Sequence, residues 1–210
     1  KLEKELVGFY LSDHPLKQLS SEAELLAPIG LEGLEDQQDR SKVSVIVMVS
    51  EMRQVTTRKG DRMAILQIED LTGSCEAVVF PKTYERLSDH LITEARLLVW
   101  ATVDRRDDRI QLIIDDCRAI DDVRFLIVDL LPDQANDITI HHQLRECLYH
   151  QSPEKNEYGI RVPVVASLKQ GSDVRYIRLG HQFCVRDVDN AVNELNKKSF
   201  NASCSKRLLV

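Results

Sequence analysis

The residues of this 210-residue chain with the clearest chemical potential are cations gathered before a short apolar hairpin. Arg53, Arg58, Lys59 and Arg62 fall within eleven positions and face one acid, Asp61. Guanidinium and ammonium groups at such density bind phosphate oxygens through charge-assisted hydrogen bonds. A second group, Arg105, Arg106 and Arg109, is balanced by Asp104, Asp107 and Asp108, so the first is the better phosphate site. A merely solvated hairpin turn is the alternative for it. Single-strand binders also present aromatic platforms, yet only 5% of the chain is aromatic. Trp100 and Phe80 are the candidates, and because each alternates with small apolar residues, core packing is favoured over base stacking for both. Any nucleic-acid binding is expected to be led by backbone contacts and weakened by salt.

Other reactive types lack companions. Asp187 and Asp189 form a D-x-D of the kind two-metal chemistry uses, but they open a helical pattern, where acids satisfy free N–H groups and the helix dipole. Asp115-Asp116 and Asp107-Asp108 end a strand and turn a hairpin, with no base or glycine loop nearby. His141, His142 and His150 have no acidic or thiol partners at ligand spacing and read as exposed helix positions. G-x-S-x-G, P-loop and G-x-G-x-x-G patterns are missing from the sequence. No catalytic residue and no metal site is therefore expected in this segment. The cysteines Cys75, Cys117, Cys147, Cys184 and Cys204 are scattered singly, which fits reduced thiols and neither a disulfide framework nor zinc. A net charge of −6 argues against a broadly basic nucleic-acid protein, though not against a local basic patch. With no long apolar run, and with Lys1-Leu2-Glu3-Lys4-Glu5 too charged for a secretory signal, a cytoplasmic chain without membrane contact is expected. The absence of an initial Met suggests a piece of a longer polypeptide.

The elements that must position these groups follow from periodicity. Leu2, Leu6 and Phe9 predict an opening helix that stops before Pro15, a second helical piece spans Leu16 to Leu26, and Glu32 to Arg40 reads as a polar linker. Val43, Val45, Val47 and Val49 alternate with Ser44, Ile46 and Met48 in a long first strand. Ala64, Leu66 and Ile68, then Cys75, Ala77 and Val79, predict a hairpin whose turn, Thr72-Gly73-Ser74, uses Gly73 for positive φ. Pro81 to Leu91 is a short helix, and strands run from Arg96 to Val103 and from Arg109 to Asp115. Three strands, a helix and two strands are the element order of a five-stranded OB-fold β-barrel, with an ordinary α+β sheet as the alternative. Beyond Asp122 the pattern predicts a strand at Phe125 to Leu131, a helix capped by Asp137, strands at Arg161 to Leu168, Val174 to Leu179 and Gln182 to Val185, and a helix from Asp187 to Lys197. The expected architecture is mixed: a helical lead and linker at 1–40, an OB-fold at 41–120, a small α+β domain at 121–198 and a loose tail at 199–210.

Three stretches carry a family resemblance. Glu3-Lys4-Glu5-Leu6-Val7-Gly8-Phe9-Tyr10-Leu11-Ser12-Asp13-His14-Pro15-Leu16 resembles the segment preceding the OB domain in alpha (catalytic) subunits of bacterial DNA polymerase III. Arg58-Lys59-Gly60-Asp61-Arg62, and Ile68 to Gly73 with Val78-Val79-Phe80, resemble the OB domain itself. The hairpin motif is shared with anticodon-binding domains of aminoacyl-tRNA synthetases, and the His-Pro segment separates the two. The resemblance implies a C-terminal, non-catalytic part of a replicative polymerase. Its nucleotidyltransferase domain, with magnesium, would lie upstream. The barrel would serve single-stranded template DNA, and the last domain would contact the clamp-loader tau subunit within the holoenzyme near the nucleoid. A structural or protein-interaction module with little DNA binding is the alternative.

Overall fold

A computed structural model describes residues 16, 26–27, 29–106, 109–151, 162–170 and 173–206. The predicted opening helix and most of the second helical piece lie outside these residues. The chain divides into two units, 1–120 and 121–210.

In the first unit, β1 (Lys42–Thr56), β2 (Arg62–Glu69), β3 (Ser74–Val79), β4 (Arg96–Arg106) and β5 (Arg109–Ala119) close a barrel in the order β1-β2-β3-β5-β4, with α1 (Pro81–Leu87) between β3 and β4. This is the expected OB-fold. The valine row Val43, Val45, Val47 and Val49 points inward with Ala64, Leu66, Ile68, Ala77 and Val79. Period-two alternation therefore does set the buried face. β1 serves two partners: Lys42 to Met48 pair with β4, and Met48 to Thr56 pair with β2 across a register shift between Val49 and Glu51. That irregularity bends the strand so that one strand joins both walls. Closure is parallel and short, with Glu76, Ala77 and Val78 opposite Gln111, Leu112 and Ile113. On the outside of β1, Ser44 Oγ donates to the Leu26 carbonyl at 2.8 Å, and Ile46, Met48, Leu98 and Trp100 are buried as well.

Two local expectations are corrected. Gly73 does not adopt positive φ; among the described glycines Gly60 does, at 89°. The β2–β3 turn is instead organised by Asp70, whose Oδ1 accepts from the Thr72 and Gly73 amides at 2.7 and 2.9 Å. Nor is 32–40 a free linker, because Leu31–Asp36 forms a 3₁₀ helix with Leu31 and Leu34 buried against the barrel. Its first N–H groups donate to the hairpin, Leu31 to Asp70 Oδ2 at 2.7 Å and Glu32 to Thr72 Oγ1 at 3.1 Å.

The second unit is a four-stranded sheet, β8-β7-β6-β9, built from β6 (Phe125–Leu130), β7 (Val164–Gln170), β8 (Asp173–Arg178) and β9 (Asn201–Ser205). With it go α2 (Pro132–Ala135), α3 (Ile138–Gln151) and α4 (Val188–Lys197). Leu126, Val128, Val164 and Ala166 share a core with Leu144 and Leu148 of α3 and with Ala191 and Leu195 of α4. Asp187 caps α4 by accepting from the Asn190 amide at 3.0 Å. Where a loose tail was expected, β9 pairs antiparallel with β6, and Phe200 and Ala202 are buried in the core. The expected strand at Gln182 to Val185 is a 3₁₀ turn, His181–Phe183, followed by an isolated bridge between Val162 and Val185.

Candidate nucleic-acid interface

The β1–β2 turn holds its cations by backbone geometry. The Gly60 amide donates to the Thr57 carbonyl at 2.9 Å, and the Thr57 amide donates to the Asp61 carbonyl at 2.8 Å. A type I turn followed by a left-handed glycine closes a hairpin in this way, and a side chain at Gly60 would strain it. The Asp61 amide adds a bond to Thr57 Oγ1 at 3.1 Å. Arg58 and Lys59 occupy the tip, Arg62 begins β2, and all three are exposed. Arg53 stands opposite Ile65 in the register, exposed on the outer wall, because its neighbour Met52 packs on the core. None of these four cations makes a side-chain hydrogen bond or ion pair among the described residues.

Phe80 belongs to the same corner. Val79 is fully buried opposite Ala64, so the next residue faces outward, and Phe80 is 44% exposed. The core assignment made from sequence is therefore wrong for Phe80. The alternation of Cys75, Ala77 and Val79 already put it in the opposite phase. Pro81 opens α1 directly after it, fixing the backbone at the edge of the wall. Val55 and Met63, opposed in the register, continue the outer row beside the basic turn. Trp100, in contrast, is 7% exposed and packs as expected.

The β4–β5 loop is less available. Arg105 donates to the carbonyls of Leu34 at 3.1 Å, Gln37 at 2.8 and 3.0 Å, and Glu35. Its amide donates to Asp39 Oδ1 at 3.0 Å. Its fork is spent on the C-terminal end of the 3₁₀ helix, which removes it from the expected phosphate contacts. Arg106 Nε donates to Asp104 Oδ2 at 2.9 Å while remaining exposed. Arg109, opposite Arg106, is exposed and without a side-chain partner among the described residues. Asp107 and Asp108 lie outside them. Asp104 is 1% exposed, and a hydrogen bond from Gln111, followed by the charges of Arg106 and Arg40, holds its carboxyl below the usual carboxylate range.

Between the loops the outer wall carries Ile65, Val78 and Ile113 in one cross-strand row and Gln67, Glu76 and Gln111 in the next. Glu76 repels phosphate at its own row, so the phosphate contacts gather at the β1–β2 turn, where Arg58, Lys59 and Arg62 are exposed. Burial, then Asp70 and Glu76, push the Cys75 thiol up to about 12, so it is no nucleophile at neutral pH. Asp115 pairs with Lys42 at 2.7 Å and Asp116 with Arg86 at 2.6 Å, which gives both acids structural roles. No group of metal-ligating side chains occurs among the described residues, and no described helix is long and apolar enough to cross a membrane.

Residues 43–120 match the family of OB-fold nucleic acid binding domains. The chain is 35% identical over 119 residues to the DNA polymerase III subunit alpha of Mycobacterium tuberculosis, covering 55% of this chain and 10% of that protein. It is 39% identical over 100 residues to the same subunit of Aquifex aeolicus, covering 47% and 8%. The chain thus spans about a tenth of the length of these relatives. A mitochondrial single-stranded DNA binding protein of S. cerevisiae is 20% identical, with 39% of this chain and 96% of that one covered and a TM-score of 0.33.

Proposed function

We propose that this chain, whose barrel is related to part of DNA polymerase III alpha subunits, is the C-terminal, non-catalytic part of a cytoplasmic replicative polymerase, and that its barrel holds single-stranded template DNA. The observation that carries the reading is the exposed basic turn, Arg58, Lys59 and Arg62 with Arg53 on the outer wall of β1, none of them paired among the described residues, together with the exposed ring of Phe80 at the end of β3. Cations there neutralise phosphates and the ring offers a face to a base. Arg106 and Arg109 extend the track across the wall.

Binding of labelled single-stranded DNA by the full chain tests this. Four phosphate contacts give a log–log salt slope of roughly −3. Arg58→Ala/Lys59→Ala/Arg62→Ala should cut the slope to about −1. An unchanged slope removes the site.

The proposal extends to the second unit as a protein-docking module, with the clamp-loader tau subunit as partner. In the competing reading the barrel is a spacer and docking is the whole function, which the net charge of −6 favours. Tau association by a chain with no measurable DNA binding would select it.

A further inference from the structure

The second unit holds an apolar groove of about 370 Å³ on one face of its sheet, within the size range of ligand pockets. Leu168, Ile177 and Leu179 form its floor, and Leu144 and Leu148 of α3 form its wall. Ile177 lies opposite Ala166, a core residue, yet is 49% exposed. The covering layer therefore stops short of β8.

Helix α3 also exposes two large apolar side chains outside the groove lining. Ile138 and Tyr149 are 67% and 68% exposed, and Arg145 stands between them at spacings of seven and four residues, on one side of the helix. Ile138 and Tyr149 lie about 16 Å apart along α3, with Arg145 of the groove lining between them. His141 and Arg145 are the ionisable residues in the lining, which includes no carboxylate. His141 Nε2 is engaged with the Ala135 carbonyl at 2.8 Å. Arg145 has no side-chain partner among the described residues.

We propose that the groove receives an amphipathic helix of another protein, its apolar stripe over Ile177 and Leu148 and a carboxylate on Arg145. The Ile138–Tyr149 separation fits three turns of helix lying beside α3, and Arg145, the guanidinium in a lining without a carboxylate, selects an acidic flank. This rests on the second unit being a protein-docking module.

The test uses the full chain and two labelled 18-residue synthetic helices with one leucine stripe, flanked by glutamate in one and by lysine in the other. The glutamate peptide should bind better and shift the methyl resonances of Leu144, Leu148, Leu168, Ile177 and Leu179. Ile177→Asp should weaken it about tenfold. Arg145→Glu should weaken it roughly fivefold and reverse the preference toward the lysine peptide, a reversal that loss of fold does not produce. Equal binding of both peptides, methyl shifts elsewhere, or concentration-dependent self-association abolished by Ile177→Asp overturns the proposal. Tau association unaffected by both variants also rejects the groove but keeps the docking role. A wild-type chain that fails to bind tau rejects that role, while the peptides still decide the groove.

Discussion

Replacing Arg105 by alanine separates structure from binding within one loop. The side chain gives hydrogen bonds to the Leu34, Glu35 and Gln37 carbonyls, the end of the 3₁₀ helix that buries Leu34. Two net bonds at about 0.5–1.5 kcal/mol each, discounted because most of these contacts are exposed, give a loss of about 1–2 kcal/mol. For a unit of this size that lowers Tm by about 4 °C per kcal/mol. Arg105→Lys should recover only part, since an ammonium group cannot span three carbonyls with a planar fork. Thermal unfolding measures the loss, and salt-dependent DNA binding is measured in parallel. The slope for Arg105→Ala should match wild type, whereas Arg58→Ala should make it shallower by about 0.7 with little change in Tm. An unchanged Tm with a shallower slope for Arg105→Ala would refute the assignment.

Phe80→Ala should weaken single-stranded DNA binding about fivefold or more with an unchanged salt slope, because stacking and phosphate neutralisation are separate contributions; wild-type affinity would eliminate the platform. Asp104 has a folded pKa below its ordinary value, so its stabilising contribution is complete above the unfolded pKa, near 3.8, and disappears as pH falls through the folded one. Asp104→Asn should therefore be less stable than wild type at about pH 7, and the gap should narrow as pH falls below the unfolded pKa. A gap of constant size in urea titrations would show that the carboxylate charge is not the source.

The barrel was readable because its rows alternate strictly: Val43 to Val49 and Ala64 to Ile68 announce an inward face without help from the fold. The same phase that buries Val79 turns Phe80 outward, against its apolar character. What no local pattern carries is long-range polar work. Arg105 looks like a loop cation until residues about seventy positions earlier offer it carbonyls, and Glu32 to Arg40 looks like a linker until Asp70 and Arg105 hold its two ends. The β9 strand lacks a local signal for a related reason. Asn201-Ala202-Ser203-Cys204-Ser205 is polar and short, and it is a strand because the free edge of β6 accepts it. On α3, Ile138 and Tyr149 dilute the amphipathic signal by placing apolar groups on two sides.

The short parallel seam between β3 and β5 bears on how the barrel breathes. Three register pairs join these strands, whereas β4 and β5 share a much longer ladder, so amides at Glu76 to Val78 and Gln111 to Ile113 are where hydrogen exchange should begin. A single strand laid across the wall from the Arg58 turn to Arg109 crosses that seam. Its binding and the seam's closure then draw on one equilibrium: ligand slows exchange there, and any substitution that loosens the seam weakens ligand by the same factor.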